Sequence, residues 1–307
     1  MLVKRILTAL VLAAAATAAV LLLPATYFSL FIALITLAAA YEWMLLTDVT
    51  KLGSKILFLL ALIVPMLGVT YWTVLLELTS EAMEWPEIKD YSDALEWFVI
   101  LPVSFWILTM VLIRKTSPQL LSMEFKPRFK AFIGWMVLLG AWMFLSKLRA
   151  YYGTGMVLYF LILIWAADIS AYFAGKTWGK EKLAPEVSPG KTVQGMYGAL
   201  ASAALCGLGF AIYGWLTANE PAETQDSSLR FLGGLVWTDM LILSVMTVLV
   251  SIYGDLFFSL VKRKKGVKDS GNLLPGHGGI LDRVDSVIAA APFFYAGILL
   301  IGRIFYS

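Results

Sequence analysis

Apolar residues fill this chain in long blocks rather than in stripes. Nine runs are long enough to be read as membrane-crossing helices: Ile6–Leu23, Ala25–Leu46, Ile56–Leu76, Trp97–Ile113, Ala131–Leu145, Met156–Gly175, Val193–Leu216, Val236–Leu260 and Val287–Phe305. A helix needs about 20 mostly apolar residues to cross the hydrocarbon layer. The pattern predicts an all-α, polytopic membrane protein with about nine transmembrane helices. Pro24 separates the first two runs, which leaves room only for a tight hairpin. Lys4 and Arg5 precede the first run as they would in a signal peptide. No polar stretch with a cleavage site follows it, so the run is read as a span. No internal repeat is evident, which disfavours a transporter built from inverted halves.

Composition agrees. The chain has 307 residues, 60% hydrophobic and 15% charged, with mean hydropathy +0.80. A soluble domain carries about 25% charged residues, so a soluble enzyme and a disordered chain are both excluded. The net charge of +3 is too small to suggest a nucleic-acid partner. Cys206 is the only cysteine, so no intrachain disulfide can form, and its apolar run reads as packing. Lys and Arg set the expected orientation. With the N-terminus in the cytoplasm, 19 of the 24 cations fall on cytoplasmic segments, and the acidic loop Glu77–Glu96 falls on the other side. The expectation is therefore N-in, C-out. Residues 1–150 form an N-terminal set of spans, a hairpin plus three. Residues 151–307 are expected to form a C-terminal transmembrane region with cytoplasmic loops.

Three polar regions gather on the cytoplasmic side. Asp168 lies within the sixth run, with Tyr172 at i+4 on the same helical face. The plain reading is an acid satisfied by a neighbouring helix; the alternative is function, the default for an ionisable group at membrane depth. Next, Ser188, Gly190, Lys191 and Thr192 precede the seventh run. A hydroxyl, a cation and backbone N–H groups at a helix start can hold phosphate. They can equally be a cap and a turn, and the glycine spacing of a Walker loop is absent. The third region is the richest. Asp255 and Ser259 share a face near the end of the eighth run, and Asp282 and Asp285 stand at i,i+3 where the ninth begins. Between them lie Lys262, Arg263, Lys264, Lys265, Lys268, Asp269 and the corner Pro275-Gly-His-Gly-Gly279, which holds His277, Gly278 and Gly279. A positive-inside loop explains the cations but not carboxylates at membrane level beside them. Hard oxygen ligands next to cations suit a divalent ion bridging a polyphosphate, since Mg²⁺ takes one or two carboxylates plus phosphates and water. No His or Cys pair suggests zinc, and His277, alone of its kind, is read as a hydrogen-bonding group.

The stretch from Ser259 to Asp285 resembles the signature of phosphatidate cytidylyltransferases, also called CDP-diacylglycerol synthases. It carries Ser259-Leu-Val-Lys262-Arg263, Lys268-Asp269-Ser-Gly271, Pro275-Gly-His277-Gly-Gly279 and Asp282-Arg283-Val-Asp285. Asp168 to Gly175 resembles the family's Asp-x-x-Ala-Tyr-x-x-Gly segment, and Ser188 to Thr192 its Ser-Pro-x-Lys-Thr segment. The resemblance covers roughly the C-terminal half; the first 150 residues match only in hydropathy. Members often carry Glu where this chain has Phe258 and Gln194, so an accessory carboxylate is lost at each place.

The resemblance implies transfer of a cytidylyl group from CTP to phosphatidate, giving CDP-diacylglycerol and pyrophosphate, with Mg²⁺ and an optional second cation. It assigns metal binding to Asp255 and Asp282, and catalytic roles to these with Lys262, Arg263 and Asp285. Substrate binding falls to Asp168, Tyr172, Ser188, Lys191, Thr192, Ser259, Lys268, Asp269, His277, Gly278, Gly279 and Arg283. It also implies a bacterial inner-membrane protein facing the cytoplasm, and a homodimer. Rival readings are a CTP-dependent enzyme acting on another lipid, such as a polyprenol kinase or an archaeal-lipid cytidylyltransferase, a cation transporter lined by Asp168, Asp255 and Asp282, and a scaffold. A transporter would hold its acids near the bilayer midplane, away from cations.

Overall fold

The computed structural model describes residues 2–84, 86–217, 237–274 and 278–305. Among the described residues it comprises nine α-helical segments, one of them kinked, and one small β-hairpin. The helices are α1 (Leu2–Leu22), α2 (Ala25–Leu46), α3 (Leu52–Thr70), α4 (Trp72–Ala82), α5 (Ile100–Ser122), α6 (Pro127–Trp178), α7 (Val193–Thr217), α8 (Trp237–Lys264) and α9 (Leu281–Phe305). A 3-10 segment, Pro86–Val99, leads into α5. Among the described residues seven helices are long and apolar enough to cross a membrane, and α1 supplies a shorter apolar stretch, Leu10–Leu22. The chain is an all-α polytopic membrane protein.

Several boundaries differ from the hydropathy reading, each for a physical reason. The fifth and sixth runs are two helices, as expected, but no loop separates them: they meet within α6 at Gly153, whose φ of 78° and ψ of −173° lie outside the helical region. Without a Cβ, glycine enters that conformation at little steric cost. The third run divides at Tyr71 into α3 and α4. The ninth run starts six residues early, because α9 begins at Leu281 and takes Asp282 and Asp285 into its first turns. Hydropathy stops at those acids, whereas the helix accommodates them through hydrogen bonds.

Burial separates a centre from a rim. Of the apolar window of α8, 67% is inside the protein, against 17% for α3. Leu30, Leu34, Leu57, Val64 and Leu205 point outward, the disposition expected where lipid replaces water. Small residues let the central helices approach closely, as is usual between membrane helices. A Cβ added at Gly254 of α8 would collide with Ala289 of α9, and one at Gly198 of α7 would come within 2.5 Å of Ala174 of α6. These two contacts bring the C-terminal ends of α6 and α8 beside the N-terminal ends of α7 and α9. The hairpin β1 (Lys182–Ala184) and β2 (Ser188–Thr192) covers the same end, paired antiparallel through Lys182 with Thr192 and Ala184 with Ser188.

Candidate active site

The polar residues singled out from the sequence converge at this end of the bundle. A cleft of about 390 Å³ is lined by Asp168 and Tyr172 of α6, Lys191 and Thr192 of β2, Met196 of α7 and Asp255 of α8. Thr192 caps α7: its Oγ1 accepts the Gly195 N–H at 3.1 Å, the usual role of a threonine before a helix. The cap fixes β2 against the helix and delivers Lys191. The Lys191 Nζ then lies 2.7 Å from Asp255 Oδ2 and donates to the Ile252 carbonyl at 3.2 Å. Ser259 donates to Asp255 Oδ1 at 3.3 Å. Capping and phosphate chemistry were alternatives for this segment; the cap is realised, and it leaves the Lys191 side chain in the cleft.

A second ion pair lies beside the first. Lys262 Nζ is 2.6 Å from Asp282 Oδ1, while Asp282 Oδ2 accepts the N–H groups of Ser270 at 2.8 Å and Gly279 at 2.9 Å. A carboxylate in the first turn of α9 is also favoured by the helix dipole. Asp285 is buried, and its Oδ1 accepts the Ser286 N–H at 2.8 Å. It lies within electrostatic reach of Asp255, Lys262 and Lys191, and Asp168 within reach of Lys191, Asp255 and Arg283. The result is an alternation of carboxylates and cations in which each anion has a positive neighbour. Phosphate oxygens can exchange into such a lattice by taking over the lysines.

The remaining residues take varied places. Arg263 donates through Nε to the Val187 carbonyl at 3.3 Å, tying α8 to the hairpin. Ser188 opens β2 and is partly buried. Tyr172 is exposed, with Lys176 Nζ 5.8 Å from its ring centroid. Lys268 and Asp269 are exposed on the loop, as is Arg283 on α9. Gly278 adopts φ of 82°, and its carbonyl accepts the Leu274 N–H at 2.9 Å, closing the turn. A Cβ there would come 2.7 Å from Asp282 Oδ2, so glycine lets the loop lie against that carboxylate. His277, with Pro275 and Gly276, lies outside the described residues. At the two departures from the family pattern, Phe258 packs between Trp43 and Trp106, with centroids at 6.0 and 6.1 Å. Gln194 Oε1 accepts the N–H groups of Lys180 and Glu181 at 3.0 and 3.2 Å. Neither is bare: one joins an aromatic cluster and the other closes a turn.

Sequence reasoning missed one acid. Glu42, buried near the C-terminal end of α2, accepts hydrogen bonds from Ser270 Oγ at 2.8 Å, Ile280 N at 2.9 Å and Leu281 N at 2.8 Å. Its signal was present as a lone carboxylate inside an apolar run. Asp48, just beyond α2, pairs with Lys265.

The donor chemistry suits a hard divalent cation, because Asp255, Asp285, Asp282 and Ser259 offer only oxygen. Among the described residues no three His, Cys, Asp or Glu side chains form a ready ligand cluster.

These features define an integral membrane protein with a cleft of paired carboxylates and lysines at one end of its helix bundle. Residues 3–301 match the model of the cytidylyltransferase family. The chain is 34% identical over 301 residues to a phosphatidate cytidylyltransferase of Haemophilus influenzae, covering 96% of this chain and 97% of that protein. It is 35% identical over 297 residues to one of Pseudomonas aeruginosa, covering 96% of each. A phosphatidate cytidylyltransferase of Bacillus subtilis is 40% identical over 147 residues, 47% of each chain. The chain belongs to the cytidylyltransferase family.

Proposed function

We propose that this protein is a phosphatidate cytidylyltransferase, transferring the cytidylyl group of CTP to phosphatidate in phospholipid biosynthesis. A phosphate oxygen of the lipid attacks the α-phosphorus of CTP; that P–O bond forms as the bond to the β-phosphate breaks, and pyrophosphate leaves. A phosphate monoester has its second pKa near 6, so the nucleophile is already largely dianionic at neutral pH and needs no strong base. The barrier is charge: one anion must approach another. Lys191, which lines the cleft, and Lys262, paired with Asp282, would pass to phosphate oxygens when CTP binds, while Arg263, Lys268 and Arg283 would add positive potential. Ser188, Ser259, Asp269, His277, Gly278 and Gly279 are assigned to holding or shaping the nucleotide, and Asp168 and Tyr172 to the cleft wall. Bound Mg²⁺, held by Asp255 and Asp282 with Asp285 beside them, would supply Lewis-acid neutralisation of the triphosphate.

The observation that carries this reading is the meeting of Asp168, Lys191 and Asp255 in one cleft, three residues from distant segments of a chain matching the family almost end to end. The charge count supports nine spans, N-in and C-out, with the site facing the cytoplasm of a bacterial inner membrane; CTP is water-soluble and would enter from there. The second copy implied by the resemblance belongs to the same proposal. The test is incubation of membranes carrying the protein with α-labelled CTP and phosphatidate, followed by lipid extraction. Label in the extract that depends on both the protein and phosphatidate is expected. Label that appears only with a polyprenol or another lipid acceptor would overturn the substrate assignment.

A further inference from the structure

We propose that Glu42 is a positioning residue for the active site, supplied by the N-terminal half of the chain; the proposal rests on the functional reading above. Five donors, four from the loop between α8 and α9 and one from the first residue of α9, end on just two carboxylates. Asp282 accepts the N–H groups of Ser270 and Gly279. Glu42 accepts Ser270 Oγ together with the N–H groups of Ile280 and Leu281. Ser270 is therefore gripped twice, by its amide from Asp282 and by its hydroxyl from Glu42. The two amides that Glu42 holds belong to the start of α9, one and two residues before Asp282. Glu42 thus sets where α9 begins, and with it the depth at which Asp282 and Asp285 stand.

The surroundings are shaped to the carboxylate. A Cβ on Gly279 would collide with both Glu42 Oε2 and Ser270 Oγ, and one on Gly271 would come 2.8 Å from Glu42 Oε1. Two glycines of the signature loop thus owe their smallness to a residue in α2. Glu42 is 3% exposed, and a buried carboxylate is costly unless its oxygens are satisfied. Three donors and the positive end of a helix satisfy them here. The chemistry cannot be copied by an amide. Two backbone N–H groups point at two different oxygens, and an N–H cannot turn to accept. Glutamine would set an NH₂ against one of them. Aspartate keeps both acceptors but falls one methylene short.

The test uses the full-length protein in nanodiscs and two readouts. The first is amide hydrogen exchange of peptides covering residues 268–286, which needs no activity. Glu42→Gln is expected to speed exchange about tenfold or more across Ser270–Leu281 while peptides from α6 and α7 keep wild-type protection. Glu42→Asp should restore part of that protection. The second is steady-state synthesis of labelled CDP-lipid. Glu42→Gln is expected to lose about 10- to 100-fold, the scale for groups that orient a site from behind. The loss should fall mainly on kcat, since the cleft residues that meet CTP are untouched. Tyr41→Phe, on an exposed position of the same helix, should leave both readouts unchanged. Wild-type exchange over Ser270–Leu281 in Glu42→Gln would overturn the proposal. So would exchange raised equally in every peptide, which would make Glu42 a general stabiliser only. If wild-type protein makes no CDP-lipid, the functional reading fails by itself, and the exchange arm still decides whether Glu42 positions the loop.

Discussion

Lys191 Nζ stands 2.7 Å from Asp255 Oδ2, joining the strand before α7 to the face of α8 that looks into the cleft. The pair is only partly covered, with side-chain exposures of 26% and 29%. Its distance says less about stability than about readiness: partly solvated ion pairs contribute little to folding and can exchange partners.

Lys191→Met should therefore leave the fold intact while removing a cation from the cleft. Turnover of labelled CTP into lipid should fall by about 10²- to 10³-fold, the scale for loss of one preorganised charge donor. Adding Asp255→Asn to that variant should cost less than Asp255→Asn costs the wild type, because paired residues are not additive. A Lys191→Met enzyme working at the wild-type rate would take Lys191 out of the mechanism.

Asp282 offers a sharper case. Asparagine keeps one oxygen for the N–H groups of Ser270 and Gly279 but gives up the charge that holds Lys262. Asp282→Asn should express, remain monodisperse in detergent and lose about 100-fold or more in activity. Near-normal product formation would remove Asp282 from the reacting centre.

Metal dependence should be strict. Chelation is expected to stop synthesis, and Mg²⁺ to restore it, because the oxygen donors here number too few to bind without the substrate's phosphates. Full activity in excess chelator, with metal content verified as negligible, would sink the assignment of Asp255 and Asp282 to a cation.

Close packing of α8 on α9 gives a prediction about stability. A side chain at Gly254 must displace Ala289, and overpacking of this kind costs about 1–3 kcal/mol. Gly254→Val should lower the thermal midpoint and reduce activity together, since Asp255 and Asp285 ride on the two helices. Gly68→Ala has open space around its Cβ and should change neither. The idea fails if Gly254→Val melts like the wild type.

Orientation can be read by chemistry from outside. Asn272 is exposed on the loop between α8 and α9. In a Cys206→Ala background, Asn272→Cys should react with a membrane-impermeant thiol reagent only from the cytoplasmic side, and more slowly with CTP and Mg²⁺ present. Reaction from the opposite side would invert the topology.

Legibility from sequence followed locality. Lys191, Thr192, Asp255 and Asp282 could be picked out because each sits in a short motif whose chemistry is dense. The close of the fold around them could not. Glu42 lies in a run that reads as ordinary membrane helix, and its partners come from the far end of the chain, so no window of residues contains the interaction. Gly153 was similarly silent: with Gly155 it stands between two apolar runs and reads as part of a loop, whereas here two helices meet directly at it. The hairpin after α6 was hidden because two strands of three and five residues leave almost no alternation to detect.

The two residues that end α8 and the one just past it reach outward. Arg263 reaches the Val187 carbonyl, Lys264 the Leu120 carbonyl and Lys265 the Asp48 carboxylate. Successive positions at a helix end point in well-separated directions, so one short basic stretch fans out to clasp the hairpin, the end of α5 and the segment after α2, like a collar. These same cations belong to the positive bias on which the proposed N-in orientation rests. Insertion signal and assembly device are thus one set of atoms. A chain with the same number of cations moved along by a single residue would be threaded the same way round, yet its collar would close on the wrong neighbours.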